Sequence, residues 1–214
     1  MTDHKFIASL PSVALARKRI NGAKVLATNN ADEGSIFVPT TIKNEDDLKQ
    51  WLSGAFPTFS TADVKAVLTI YPSSATSSPQ QRAVTIMSEA TFVCSSYWLN
   101  DAFIQKPSFH YQFSVANALH GDDLQAVFGP ATSVQPPAVT KVMRRIWGDF
   151  IMSGSPVKRL SLFPDWIEGT SKQMLNLNAT GTSKNFSVVS AQEWEGGRGK
   201  RCAFWKSVNL RGSV

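Results

Sequence analysis

The stretch "AKVLATNNADEG", residues 23–34, is a short apolar run that ends in a polar turn with two acidic residues. A short apolar run followed by turn-forming residues predicts a buried β-strand. Asp32 and Glu33 then lie just past the C-terminal end of that strand. Ligand sites of open α/β sheets collect at this edge of the sheet. The two carboxylates are therefore candidate functional residues.

A second strand and a histidine repeat this arrangement. The aromatic, alternating run "FHYQFSV" (109–115) predicts another buried strand, and "ALHGDDLQAVFG" (118–129) follows it with His120, one of three histidines. A carboxylate and a histidine from successive strand ends are two of the three groups of an acyl-transfer triad. From the spacing alone, a solvated acidic turn and an ordinary loop histidine are the more frequent interpretation.

The other patterns predict helices around these strands and a hairpin near the C-terminus. Helical patterns occupy 59–71, 81–102, 139–154 and 199–208. Ser60 or Thr61 is placed to cap the first of them. The runs "MLNLNATG" (174–181) and "NFSVVS" (185–190) predict two antiparallel strands. The chain as a whole predicts an α/β fold.

Composition restricts the classes of function. With 43% hydrophobic and 18% charged residues, the 214-residue chain is globular and long enough for a domain of ordinary size. The net charge is +6, but the basic groups at 17–19, 141–145 and 198–201 accompany no nucleic-acid motif, so we interpret them as solvated faces and expect no nucleic-acid partner. No apolar run reaches the roughly 18 residues of a transmembrane helix. The two cysteines lack metal-ligand spacing.

These motifs resemble the type B carboxylesterase and lipase family of the α/β-hydrolase fold, which includes the cholinesterases and fungal esterases. "TNNADEGSIF" (28–37) is similar to the family's acid motif, in which the glutamate before glycine is the triad acid, here Glu33. "HGDDLQAVFG" is similar to its histidine motif, whose first residue is the triad base, here His120. Asp122 and Asp123 then belong to the turn of that motif. Ala27 stands where the family usually has glycine.

The resemblance spans essentially the whole chain but only the C-terminal part of the family's domain. It implies a mixed, mostly parallel sheet flanked by helices that ends in a β-hairpin and a helix. The nucleophile motif G-x-S-x-G is absent, because "GTSKQ" at Gly169 and "GTSKN" at Gly181 lack the closing glycine. Residues 1–214 are therefore expected to be one truncated segment without the nucleophile-bearing part, unable to hydrolyse esters alone. The open edge of the first strand is expected to favour self-association.

The resemblance also implies a disulfide between Cys94 in "FVCSSY" and Cys202 in "RCAFW"; two unpaired core cysteines are the alternative. A disulfide fits the extracellular or secretory location of the family and makes the sequons at Asn178 and Asn185 more credible as glycosylation sites. The N-terminus "MTDHKFIASLPSV" has no signal-peptide pattern. No cofactor or metal is implied, since triad chemistry needs none.

Two functions remain open at this point. The first is hydrolysis of small-molecule or lipid esters in a serine carboxylesterase completed by an N-terminal part. The second is a non-catalytic esterase-like interaction protein, since the family includes adhesion members without a triad. Phe37, Phe56 and Trp98 are candidates to line the wall of a substrate gorge, although core packing is the more frequent role of such residues.

Overall fold

The computed structural model describes residues 5–74, 77–156, 173–180 and 183–211. The strands in these ranges are β1 (Val25–Asn30), β2 (Ser108–Phe113), β3 (Gln173–Thr180) and β4 (Ser183–Ser190). The helices are α1 (Pro11–Ala16), α2 (Glu45–Ala55), α3 (Thr61–Ile70), α4 (Pro79–Met87), α5 (Cys94–Ala102), α6 (Asp122–Phe128), α7 (Pro137–Ser153) and α8 (Trp194–Arg211). A 3₁₀ turn covers Ser35–Phe37, and a π-helical segment, Ser88–Val93, joins α4 to α5.

The four strands form one mixed sheet in the order β1-β2-β3-β4. The pairs β1–β2 and β2–β3 are parallel, and β4 returns antiparallel to β3 in a hairpin. Helices α2 to α5 lie in the connection from β1 to β2, as a parallel pair requires a crossover. The predicted mixed, mostly parallel α/β sheet with its terminal hairpin and helix is confirmed. Within the described ranges, the outer edge of β1 pairs with no other strand.

Both faces of the sheet are covered, so β2 is buried along its whole length. Alternate side chains point to opposite faces of a strand. Phe109, Tyr111 and Phe113 belong to an apolar core with residues of α6 and α7. A second core contains residues of α2 to α5, β3 and α8, including Trp205.

The helices follow the sequence patterns with one correction. Ser60 caps α3, where its hydroxyl accepts from the Asp63 N–H at 3.2 Å. The helix predicted over 81–102 is confirmed in extent, with the correction that its middle part, Ser88–Val93, is π-helical. The predicted final helix over 199–208 is confirmed, and it is preceded within α8 by a kink at Glu195, Gly196 and Gly197, which have positive φ angles. No described helix is both long and apolar enough to span a bilayer.

Candidate active site

The loop after β1 holds Glu33 by hydrogen bonds on either side of it. The Asn30 N–H donates to Glu33 Oε1 at 2.6 Å, and the Gly34 N–H donates to Ser88 Oγ at 2.8 Å. A Cβ on Gly34 would lie 2.3 Å from the carbonyl oxygen of Val84, so only glycine fits this close approach to the helix. Glu33 is consequently a buried carboxylate in a loop that packs directly against α4 and the π-helical segment.

The loop after β2 is tied to the same place. The Asp32 N–H donates to the Ala118 carbonyl at 3.0 Å, and Asn30 Nδ2 donates to the Leu119 carbonyl at 2.9 Å and to Asp123 Oδ1 at 3.2 Å. These bonds bring the residue before His120 next to the end of β1. These hydrogen bonds therefore join the two loops at the C-terminal edge of the sheet.

A sharp turn carries His120 into α6. Gly121 has φ +88°, a conformation that favours glycine, and α6 begins at the next residue. The Leu119 N–H donates to Asp122 Oδ2 at 2.9 Å. Asp122 and Asp123 thus hold the turn, and neither contacts the imidazole.

The structure brings Glu33 and His120 together. His120 Nδ1 lies 2.6 Å from Glu33 Oε2, with 42% of the histidine side chain exposed and 7% of the glutamate. Because a carboxylate only accepts hydrogen bonds, Nδ1 carries the proton and Nε2 of the neutral ring is left as a base. Nε2 makes no hydrogen bond with any residue in the described part of the chain. A carboxylate hydrogen-bonded to Nδ1 of an imidazole whose Nε2 is open is also the geometry of the acid and base in a Ser-His-Asp triad.

Aromatic rings flank the imidazole. The Phe92 ring centroid lies 4.5 Å from that of His120, and the Phe37 centroid lies 5.4 Å from it. Phe37 is 46% exposed, so core packing is the wrong prediction for this residue. Trp98 is a core residue, and its Nε1 donates to the Cys202 carbonyl, whereas Phe56 is partly buried and packs against the same core through Trp205, so both have the expected packing role.

The two G-x-S tripeptides of the sequence fall largely outside the described residues. The tripeptide that starts at Gly169 lies outside the described residues, and so do Gly181 and Thr182 of the second one. Asp32, the other acidic candidate of the first loop, accepts from the Ser35 hydroxyl and so belongs to the turn.

The remaining candidate residues lie away from this pair. Cys94 and Cys202 form a disulfide that joins the start of α5 to α8. Asn178 and Asn185 face each other across the β3–β4 ladder, and Asn185 is exposed. Among the described residues, no group of three or more His, Cys, Asp or Glu side chains is arranged to hold a metal ion.

Sequence reasoning missed a buried polar network around Glu89, in the π-helical segment. Arg201 binds both carboxylate oxygens at 2.7 Å, and the Tyr71 hydroxyl donates to Oε2 at 2.6 Å. Arg198 Nε approaches Oε1 at 3.3 Å, and its other nitrogens contact Gln112 and Glu195. The available signal was the polar face of β2, where Ser108, His110 and Gln112 occupy every second position.

His110 belongs to this network. Its Nε2 lies 3.1 Å from Ser96 Oγ and 3.2 Å from Asn29 Oδ1, and the Tyr97 ring packs edge-on against it. Burial, with a smaller contribution from the Arg198 charge, lowers the pKa of His110 to about 3. The imidazole is therefore neutral at physiological pH and has no open face toward solvent.

Comparisons with known proteins concern the family and the fold of this chain. A model of the carboxylesterase family matches residues 1–205. The crystal structure of EstA from Aspergillus niger matches the fold with a TM-score of 0.78 at 18% identity, and the match covers 99% of this chain and 45% of that chain. The chain thus spans less than half the length of EstA, and at this identity the likeness concerns the fold, which is that of the α/β-hydrolases. No curated protein matches the sequence significantly.

Proposed function

The chain belongs to the carboxylesterase family, and from this premise we propose that Glu33 and His120 are the acid and the base of a carboxylic-ester hydrolase. The observation that carries the proposal is the 2.6 Å contact between Glu33 Oε2 and His120 Nδ1 with Nε2 left open. A solvated turn and an unrelated loop histidine do not require a buried carboxylate aimed at one ring nitrogen.

In the proposed reaction, His120 Nε2 accepts the proton of a serine hydroxyl as its oxygen attacks the ester carbonyl carbon. The imidazolium keeps its Nδ1–H on Glu33, whose negative charge stabilises it, and then gives the Nε2 proton to the leaving alcohol. Water hydrolyses the acyl-serine with the same base. The substrates we propose are small-molecule or lipid esters, whose apolar parts fit the exposed ring of Phe37 beside the imidazole.

We further propose that the serine and the oxyanion hole are supplied by a polypeptide segment outside these 214 residues. The sequence contains no G-x-S-x-G motif. Without a nucleophile and preorganised donors, an acid and a base retain little of the rate enhancement. The 214-residue chain alone is therefore expected to hydrolyse a short-chain p-nitrophenyl ester at the background rate. Robust turnover that disappears in His120→Ala would contradict this expectation.

The decisive experiment is to read the coding sequence upstream of Met1 and to express the extended protein. We expect an in-frame G-x-S-x-G there and ester hydrolysis that falls about 10³- to 10⁴-fold in His120→Ala. Asp32→Asn is the matched control, because it removes the neighbouring carboxylate that contacts only the turn, and it should retain most of the activity. An upstream region without such a motif, or an active extended protein that tolerates His120→Ala, would refute the proposal.

The alternative, a non-catalytic esterase-like interaction protein, has no requirement for the Glu33–His120 contact. Full activity in the extended protein would exclude it. A secretory location and N-glycosylation at Asn178 and Asn185 are a further part of the proposal, supported by the Cys94–Cys202 disulfide. A mass shift on treatment of the natively produced protein with an N-glycosidase would test the glycosylation, and an unchanged mass would refute it.

A further inference from the structure

The π-helical segment, Ser88–Val93, contacts Gly34, the residue after Glu33, through Ser88 and the His120 ring through Phe92. The proposed reaction assigns this segment no role. We propose that Ser88 is a positioning residue for the Glu33–His120 pair, and that Phe92 supports the imidazole from the same side of the segment. The inference rests on the proposed roles of Glu33 and His120, since it concerns the geometry of their hydrogen bond.

The hydrogen bonds of Ser88 have only one possible direction. Ser88 Oγ accepts from the Gly34 N–H at 2.8 Å and donates its single proton to the Val84 carbonyl at 2.8 Å. The donor Gly34 follows Glu33 directly in the chain, so this bond fixes the peptide group on the C-terminal side of the acid. The Asn30 N–H fixes the carboxylate from the other side.

Close packing prevents water from replacing this bond. A Cβ on Gly34 would lie 2.7 Å from Ser88 Oγ and 2.9 Å from Ser88 N. Ser88 itself is buried. Removal of the hydroxyl would therefore leave the Gly34 N–H without an acceptor in a place with little room for solvent.

Phe92 lies four residues after Ser88, and side chains at this spacing share one helical face. Its ring centroid is 4.5 Å from that of His120 at an interplanar angle of 42°, and 5.3 Å from that of Phe37. The ring contacts limit rotation of the imidazole about its side-chain bonds. The face that holds the acid loop through Ser88 thus also holds the base.

The π-helical winding is anchored by the residue next to Ser88. Glu89 makes the two 2.7 Å contacts with Arg201 and the 2.6 Å contact with Tyr71 described above. One turn of the segment is consequently tied to the Glu33 loop through Ser88 and to α8 through Glu89. Single π-helical turns are rare and concentrate at functional sites, and rigid support of this kind is what a precise acid–base geometry requires.

The test measures the Glu33–His120 hydrogen bond itself and needs no esterase activity. The full 214-residue chain is labelled with ¹⁵N-histidine, and the solvent-exchange rate of the His120 Nδ1 proton is measured by NMR. Glu33→Ala should abolish the protected proton. Ser88→Ala should accelerate its exchange roughly fivefold to tenfold, the size expected for loss of one buried hydrogen bond. Ser88→Thr, which restores the hydroxyl, should return the rate toward that of the wild type.

Ser95→Ala is the matched control. The Ser95 hydroxyl donates to the Thr91 carbonyl at 3.1 Å, as Ser88 does to Val84, and contacts no part of the Glu33–His120 pair. It should leave the exchange rate unchanged, and Phe92→Leu should accelerate exchange. If Ser88→Ala does not fold, Ser88→Cys replaces it, because a thiol keeps the volume and accepts hydrogen bonds poorly.

The outcomes separate the two proposals. Exchange within twofold of wild type in the folded Ser88 variant, with Glu33→Ala still effective, would overturn the positioning role and leave the proposed acid and base intact. An exchange rate that Glu33→Ala does not change would overturn the acid–base pair and the positioning role together.

Discussion

Two glutamates of this protein show how similar side chains are used differently. Glu33 and Glu89 are both buried carboxylates with a nitrogen-bearing partner. Glu33 contacts His120, which is partly exposed and has its second ring nitrogen open, whereas Glu89 is enclosed by Arg198, Arg201 and Tyr71. The Glu89 carboxylate has all of its acceptor capacity directed at fixed neighbours, so nothing from solvent can bind there.

The two described histidines repeat the contrast. His110 shares its Nε2 between Ser96 and Asn29, and burial holds its pKa at about 3. His120 gives one nitrogen to a carboxylate and leaves the other open. Burial and a carboxylate partner are common to the stabilising network and the candidate active site. The open Nε2 of the partly exposed His120 distinguishes the candidate active site from the Glu89 network.

The largest predicted effect is a difference in unfolding free energy between loss of Glu89 and loss of Glu33. Glu89→Ala leaves the buried guanidinium of Arg198 without one of its counter-charges, and removal of one partner of a buried ion pair costs about 3–5 kcal/mol. Glu33→Ala chiefly leaves the buried Asn30 N–H without an acceptor, for which about 1–3 kcal/mol is expected. Urea unfolding of both variants measures the difference. Equal losses of unfolding free energy in Glu89→Ala and Glu33→Ala would show that the two glutamates stabilise the fold to the same extent.

The strands and the candidate pair were predictable from the sequence for a physical reason. The run at 23–28 is mostly apolar, and the run at 109–115 alternates aromatic and polar residues, and both patterns are local features of buried strands. The pairing of Glu33 with His120 follows from two motifs that come after parallel neighbours, which end at the same edge. Resemblance supplied their roles, since the residues alone favoured ordinary turns.

The π-helical segment was not predicted, and the contacts made from it are tertiary. Glu89 in this segment binds Arg201 of α8, more than one hundred residues away in the chain, and such contacts leave no mark on local periodicity. The backbone of the loop before His120 was also unpredictable, because Ala116 and Ala118 adopt positive φ angles that the sequence would normally indicate by glycine. The hydrogen bond from Asp32 to the Ala118 carbonyl compensates part of that strain.

The second prediction uses pH to separate the histidines. An unfolded histidine has a pKa near 6.5, and the folded pKa of His110 is about 3. Between these values the unfolded chain binds a proton that the folded chain does not, so the free energy of unfolding falls as the pH falls through this window. The loss reaches the order of a few kcal/mol near pH 3.

His110→Gln removes this contribution and should flatten the dependence of unfolding free energy on pH between pH 6.5 and 4. Urea unfolding at several pH values in both proteins measures it. The carboxylates contribute equally to the two curves, and the Arg198 charge beside residue 110 is unaffected by the substitution. Parallel curves for the wild type and His110→Gln would show that His110 is not held neutral by burial.

The third prediction compares the accessibility of the two histidines by chemical modification of the folded protein. Diethyl pyrocarbonate acylates an accessible neutral imidazole nitrogen, so in a His4→Gln chain it should modify His120 rapidly, as followed by mass spectrometry of the peptide that contains His120. His110 can react only after the surrounding structure opens, and a local opening free energy of about 3 kcal/mol makes its reaction more than about a hundredfold slower. The His120→Gln variant of the same chain should show only the slow reaction. Modification of both histidines at the same rate would show that His110 is as accessible to the reagent as His120. The Glu89 network around His110 would then open as readily as the sheet edge where His120 lies.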